Sequence, residues 1–321
     1  MLLPLQHDYH TASQSYASRI EAGGQVAVAP IARLGIQWGY QHLFIYHEAT
    51  RRERASFRKG MRIRMTPWPL TDMHIHATHY RLDGARPEMT VANIARRLEA
   101  LGCQTAGIVE HLDTNPKHPL ACLEALVGEF RVLRSSCTLF VGAELDYQDG
   151  AISIPDAVAI KERLGLDYFL AGAHGVGPEI TSAQAFIADH QRRLMGIVED
   201  HSYVDIVAHP WAGAHKLAER GVIEAWDFAM IPEAHLYEFV QAVAAHGKAI
   251  EVSRKVLPDA ENPAFQAYLA MIRDAGVRVS TGSDAHSMTD VGGTATLNEI
   301  LHRAGLAPAS LWWPGAKPTM S

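Results

Sequence analysis

The chain predicts an α/β protein of the β/α-barrel class, preceded by an N-terminal extension of different character. Three observations predict it. From about residue 67 onward, short continuous apolar runs alternate with stretches of helical periodicity. Each alternation is about one βα unit long. The runs finish on a histidine or an acid: Asp72-Met73-His74-Ile75-His76, Glu110-His111, Glu144, His174, His209, Glu251 and Asp284-Ala285-His286. Strands lined up in parallel bring such terminal side chains together, as at the C-terminal face of a β/α barrel.

The elements follow in order. Thr71–His76 opens the series as a strand. Thr90–Leu101 carries Val91, Ile94, Ala95, Leu98 and Leu101 at helical spacing, with Gly102 placed to end it. Thr105–His111 is the second strand and Leu120–Leu133 the second helix. Leu139–Leu145, Tyr168–His174, Val204–His209, Ala249–Ser253 and Val277–Gly282 read as strands three to seven. Helical patterns near Ala157–Leu164, Ser182–Glu199, Pro232–His246, Pro263–Ala275 and Asp290–Ala304 separate or follow them. The strand runs are rich in Val, Ile, Leu and Ala without polar alternation, as required when helices cover a parallel sheet. Seven such units with ligand-type strand ends favour a barrel over an open doubly wound sheet. Trp312 and Trp313 are expected to seal the last helix against the barrel.

Two domains are expected, an extension over 1–66 and a barrel over 67–321. The extension lacks βα alternation and ends in a basic stretch of Arg51, Arg52, Arg54, Arg58, Lys59, Arg62 and Arg64. It reads as helix-rich or partly disordered, and a translation start at Met61 or Met65 is the alternative. His7 and His10 are expected to be solvated.

The 321 residues are 48% hydrophobic and 20% charged, which suits one large globular domain with an appendage. A formal net charge of −6 offers no basic surface for a stable nucleic-acid partner. No run approaches the roughly 18–20 apolar residues that cross a bilayer. Cys103, Cys122 and Cys137 form no CxxC pair and cannot all pair with one another, so a reduced, cytoplasmic setting is expected.

The chemistry lies in the strand ends. His74 and His76 are two apart on a strand, so both imidazoles leave the same face and can share an ion. An HxH alone is a weak signal. Here it is joined by His111, His174, His209 and His286 and by the Glu144 and Asp284 carboxylates, a mixed set that suits Zn, Mn or Fe rather than Ca or Mg. The other histidines, including His118 and His190, fall in helical or loop stretches and are expected at the surface. Asp72 is expected to orient a liganding imidazole, and Ser287 to cap the helix near Asp290.

The order DxHxH, Glu110-His111, Gly-Ala-Glu144-Leu, Ala-His174-Gly, Ala-His209-Pro and Gly-Ser-Asp284-Ala-His286-Ser resembles the PHP family, named for polymerase domains and histidinol phosphatases. The resemblance spans about residues 70–304 and its motif order is specific. It implies a distorted seven-stranded (β/α)7 barrel holding two or three divalent ions. Carried over, the first ion takes His74, His76, Glu144 and Asp284. The second shares Glu144 and adds His174 and His209. The third takes His111, His286 and a histidine that family members place several residues beyond the HxH. There the chain departs from the pattern, with Leu82 and Asp83 at that distance and His79 nearer, so His79 is the expected ligand and Asp83 its substitute.

Clustered ions lower the pKa of a bound water from ~15.7 toward ~7 and neutralise charge on a phosphoryl group. The expected function is therefore hydrolysis of a small phosphate monoester, histidinol-phosphate-like, with Glu144 and Asp284 at the reacting centre. Arg254, directly after the sixth strand, is the expected phosphate clamp. The rivals are a phosphodiesterase or nuclease acting on small nucleotides or oligonucleotide ends, an amidohydrolase, and a PHP module kept only for binding.

Overall fold

A computed structural model of the chain describes residues 68–77 and 86–316. The extension over 1–66, with its His7 and His10, and the segment 78–85, with His79, Leu82 and Asp83, lie outside the described residues. The rest folds as expected into a nearly closed α/β barrel. Its seven parallel strands are β1 (Thr71–His76), β2 (Thr105–Leu112), β3 (Thr138–Gln148), β5 (Tyr168–Gly172), β6 (Ile206–Val207), β7 (Ala249–Ser253) and β8 (Arg278–Gly282), paired in that order. A two-residue strand, β4 (Ala151–Ile152), folds back antiparallel on the end of β3.

The seam between β8 and β1 has no regular ladder. The Thr71 and Thr281 hydroxyls meet at 2.6 Å, and the Thr281 hydroxyl donates to the Thr71 carbonyl at 3.0 Å. At the last residue of β1, the His76 amide donates to the Ala285 carbonyl, beyond β8, at 2.9 Å. Side chains and one bridge thus close the barrel and stitch the first metal motif to the last.

Helices cover the outside: α1 (Val91–Ala100), α2 (Leu120–Val132), α3 (Ala157–Leu164), α4 (Ala183–Asp200), α5 (His215–Glu219), α6 (Glu233–Ala245), α7 (Pro263–Asp274) and α8 (Ala295–Arg303). Their ends carry local signals. Thr90, Ser182 and Asn262 each accept an amide from the first turn of α1, α4 and α7, which satisfies donors that the helix itself cannot. Helix α1 buries Val91, Ile94, Ala95 and Leu98 as its spacing predicts. Val91, Ile94 and Leu98 each contribute roughly 1.5–3 kcal/mol on burial.

Inside the barrel a second, smaller core holds Met73, Val109, Tyr168, Leu170, Ile206, Ala208, Ala249 and Trp312. Tyr168 crosses the interior and donates its hydroxyl to the Met73 carbonyl at 2.6 Å. A Cβ at Gly107 would collide with that ring, so glycine is required there. Trp312 meets Tyr168 edge-on at 5.8 Å and its amide bonds the Val279 carbonyl at 2.8 Å. The tryptophan therefore plugs the barrel floor rather than sealing the last helix.

Three boundary differences bear on the site. Strand β5 stops at Gly172 and β6 at Val207, so His174 and His209 stand on the turns beyond. Helix α8 begins at Ala295. Ser287 does not cap it, but bonds the Asp290 carboxylate at 2.6 Å within the preceding turns. Among the described residues, no helix is long and apolar enough to cross a membrane, and Cys103, Cys122 and Cys137 are buried.

Candidate metal centre

The C-terminal rim of the barrel gathers eight of the nine sequence-predicted ligands; the ninth, His79, lies outside the described residues. On β1, period-two alternation sends His74 and His76 to one side, with Nε2 atoms 3.0 Å apart. The β2–β3 register sets His111 directly beside Glu144, and His111 Nδ1 lies 3.2 Å from Glu144 Oε2.

Glu144 is the centre of the arrangement. Its Oε1 lies 2.9 Å from His174 Nε2 and 3.0 Å from His209 Nε2. Its Oε2 lies 3.2 Å from His76 Nε2 and 3.4 Å from His74 Nε2. One carboxylate thus turns one oxygen to each of two imidazole groups. Asp284 Oδ1 stands 3.4 Å from both His76 Nε2 and His286 Nδ1. Three groups, His74–His76–Asp284, His74–Glu144–His209 and His76–His111–His286, each bring their ligand atoms within 4.8 Å of one another.

The donor set fits divalent transition ions. Imidazole nitrogens face each other across 3.0 Å at His74 and His76 and 3.3 Å at His174 and His209, where protons alone serve poorly and a shared cation serves well. The electrostatics show the same need. Burial alone would raise Glu144, yet the surrounding His174, His74 and His111 hold it well below the usual carboxylate range. Burial would lower His174, but Glu144 and Asp146 push it up to about 9. Burial and then the neighbouring His76 push His111 far down and His286 down to about 4. Neighbouring rings are driven to opposite protonation, a conflict that bound cations would remove.

Buried carboxylates orient the imidazoles. Glu251 accepts from His74 Nδ1 at 2.9 Å with one oxygen and from the His209 amide at 2.6 Å with the other. Asp146 pairs with His174 Nδ1 at 3.1 Å. Such partners fix which nitrogen is left for a metal. Sequence reading named Glu251 as a strand end without a role and missed Asp146, although Asp146 lies two residues beyond Glu144 and so on the same face. Asp72 does something other than orient an imidazole ring: it accepts the Ser283 amide at 2.8 Å and the Gly292 amide at 2.9 Å, holding the segment that carries Asp284 and His286.

Backbone strain concentrates here. His209, Trp211 and Asp284 have φ of 26°, 69° and 50°, conformations that residues with a Cβ adopt at some cost and that cluster at functional sites. His190, expected at the surface, is buried, and its Nε2 accepts the Trp211 amide at 2.9 Å. Burial and then Arg193 push it down to about 3, so it stays a neutral acceptor. His118, also expected at the surface, is only 16% exposed and stacks on His111.

The two cations after β7 separate. Arg254 Nη1 bonds the Asp290 carboxylate at 3.0 Å. Lys255 instead pairs with Asp284 Oδ2 and lines a pocket with His174, His190, His209, Gly213 and Lys216.

No family model matches the chain. At 22% identity over 245 residues, it is similar to two curated proteins, each called a probable phosphatase, from Thermoanaerobacter sp. strain X514 and Thermoanaerobacter pseudethanolicus. The alignment covers 73% of this chain and 86% of each of them. Among solved structures it is similar to the histidinol phosphate phosphatase of Lactococcus lactis subsp. lactis, crystallised with zinc, L-histidinol and phosphate. That match has a TM-score of 0.51 at 15% identity and covers 74% of this chain and 94% of the other. The likeness to the solved structure shows a shared barrel fold.

Proposed function

We propose that the protein is a metal-dependent phosphoesterase that hydrolyses a small, histidinol-phosphate-like phosphate monoester. One observation carries the reading: the two oxygens of Glu144 face two separate imidazole groups, beside a pocket into which Lys255 projects. The resemblance of the motif order to the PHP family and the printed names of the relatives support it.

The residues that would hold the ions are His74, His76, Glu144 and Asp284 for the first and Glu144, His174 and His209 for the second. His111 and His286 would belong to a third. When bound, divalent ions supply an activated water and neutralise the charge of a phosphoryl group. The chain supplies the rest. Lys255 holds a phosphoryl oxygen at the pocket and offsets its charge. Asp284, kept ionised because His74, His76 and Lys255 outweigh its burial, takes the proton of the attacking water through the oxygen that faces Lys255 and passes it to the leaving oxygen as the ester P–O bond breaks. Glu251, Asp146 and Asp72 hold the imidazoles and the β8 loop in place, so that little reorganisation accompanies the reaction.

A screen of metal-analysed protein against phosphorylated metabolites tests the proposal. Release of inorganic phosphate from one or more small monoesters is expected, lost on chelation and restored by Zn, Mn or Fe. Cleavage of diesters or carboxamides alone would overturn it.

A further inference from the structure

The ladder between β3 and β5 ends at the pair Asp146–Gly172. His174 stands two residues beyond it, followed by Gly175 at a φ of 75°. A segment that leaves a sheet loses the register that fixed its strand. Yet the His174 imidazole sits 2.9 Å from Glu144 on one side and 3.1 Å from Asp146 on the other. Its backbone needs a support that the sheet no longer gives.

Arg193, on α4, is in place to give it. Its Nε and Nη2 donate to the Tyr147 carbonyl at 3.3 and 2.8 Å. Nη2 also donates to the His174 carbonyl at 2.5 Å, and Nη1 to the Gly175 carbonyl at 3.3 Å. Tyr147 follows Asp146 directly on β3, so one guanidinium bonds the backbone beside each partner of the Asp146–His174 pair. It joins the two segments where the next rung of the ladder would have come. A planar fork with five fixed donors suits that task.

The placement is a costly one for a cation. Arg193 is only 8% exposed, and Asp189, one turn back on α4, stands 3.7 Å from Nη1. A charge held in such cover needs its hydrogen bonds, and here they go to carbonyls at the rim. The same helix serves the rim at two further points. The Tyr147 hydroxyl occupies the space that a Cβ at Gly196 would take. His190 accepts the amide of Trp211, two residues past His209. Helix α4 thus supports both turns that carry imidazoles assigned to the second ion.

We propose that Arg193 is a positioning residue for that ion. By tying the Tyr147 carbonyl to those of His174 and Gly175, it holds the His174 imidazole against Glu144 and so sets the affinity for the second metal. It touches neither metal nor substrate. The proposal rests on the reading of the rim as a metal centre, and the test separates the two.

Metal-free wild type, Arg193→Met, Arg193→Lys, His174→Ala, the Arg193→Met/His174→Ala double variant and Lys248→Met are titrated with Co2+. Metal is counted by elemental analysis and folding checked by circular dichroism. Arg193→Met should weaken one cobalt equivalent by roughly 10- to 100-fold. In the His174→Ala background the same change should move the remaining equivalents by less than about twofold, because the side chain through which Arg193 acts is gone. Arg193→Lys should weaken the same equivalent, since an ammonium keeps the charge but not the fork; it carries the comparison if Arg193→Met does not fold. Lys248 is another buried cation that donates to carbonyls, those of His201 and Val204 at 2.7 and 2.8 Å, past the C-terminal end of α4. Lys248→Met therefore shows what losing such a cation does to stability alone, and it should bind cobalt as wild type does. Wild-type affinity in Arg193→Met or in Arg193→Lys overturns the proposal while leaving the metal centre intact. So does equal weakening with and without His174, or equal weakening in Lys248→Met. A wild type that takes up no cobalt overturns both.

Discussion

Replacing Lys255 by alanine should cost the reaction far more than replacing its neighbour Arg254. Lys255 reaches Asp284 in the pocket shared with His174 and His209. A unit charge about 4 Å from a phosphoryl oxygen is worth roughly 4 kcal/mol at an effective dielectric near 20. The side chain is 43% exposed, and solvent screening removes about a third to a half of that, leaving about 2–3 kcal/mol in the transition state. At 1.36 kcal/mol per decade this is roughly a 30- to 150-fold loss in kcat/KM. Arg254, by contrast, spends its guanidinium on Asp290 in a pair that is 34% and 41% exposed. Such surface pairs are worth at most about 1 kcal/mol, and Arg254→Ala should change kcat/KM by less than about fivefold. The assay is steady-state hydrolysis of a phosphate monoester by variants of equal metal content. Lys255→Arg should recover much of the loss, since it restores the charge. A roughly 30-fold loss in Arg254→Ala with wild-type hydrolysis by Lys255→Ala would refute the assignment of Lys255.

Three further outcomes are expected. Glu144→Ala should lose more metal on elemental analysis than His111→Ala, because each Glu144 oxygen faces its own set of imidazoles; equal losses would refute the bridging role. Gly282→Ala should lower metal content in a protein that still folds, because its Cβ would collide with the Glu251 carboxylate and come within 2.7 Å of His74 Cβ. Full metal occupancy in that variant would show that the Glu251–His74 pair can shift without consequence. His190 is pushed from 6.5 down to about 3, so between those values the unfolded chain binds a proton that the folded chain refuses. Stability from this group is complete above about pH 6.5 and falls as the solution is acidified. In urea titrations of chelated protein, wild type should lose about 2 kcal/mol more than His190→Gln between pH 7 and pH 5; a gap independent of pH would count against a buried neutral imidazole.

The parallel strands and their terminal ligands were legible because both follow from local pattern. A strand covered on both sides must be a continuous apolar run, and one that ends at a metal must stop on a donor. Glu144, His74, His76 and Asp284 are therefore visible as candidates in the sequence itself. What the pattern could not carry is the chain's path once the strand has ended. His174 and His209 were read as strand residues, yet they stand on turns, one of them with a positive φ. Arg254 and Lys255 are adjacent in sequence and both cationic, but they open a 3-10 turn, where each residue rotates about 120° from the last. That rotation sends one cation to Asp290 and the other to Asp284. His118 and His190 were hidden for a related reason: a histidine in a loop or helix carries no periodic signal of what tertiary packing sets against it.

The seam of the barrel and the centre are held by the same residues, and this explains why the site can be strained and still ordered. Asp72 on β1 is fully buried, and burial raises it to about 6 even though it accepts amides from Ser283, Gly292 and His74. Thr71, its neighbour, receives hydroxyls from Thr281 and Thr294 on its carbonyl. These bonds replace the missing β1–β8 ladder, and they also fix the loop on which Asp284 takes its positive φ. Glu251 repeats the device at the other side, joining β7 to the His74 ring and to the His209 backbone. The Asp72 bonds that close the sheet therefore also hold the segment on which Asp284 takes its positive φ, while Glu251, beside the paired β6–β7 ladder, holds the unfavourable backbone at His209.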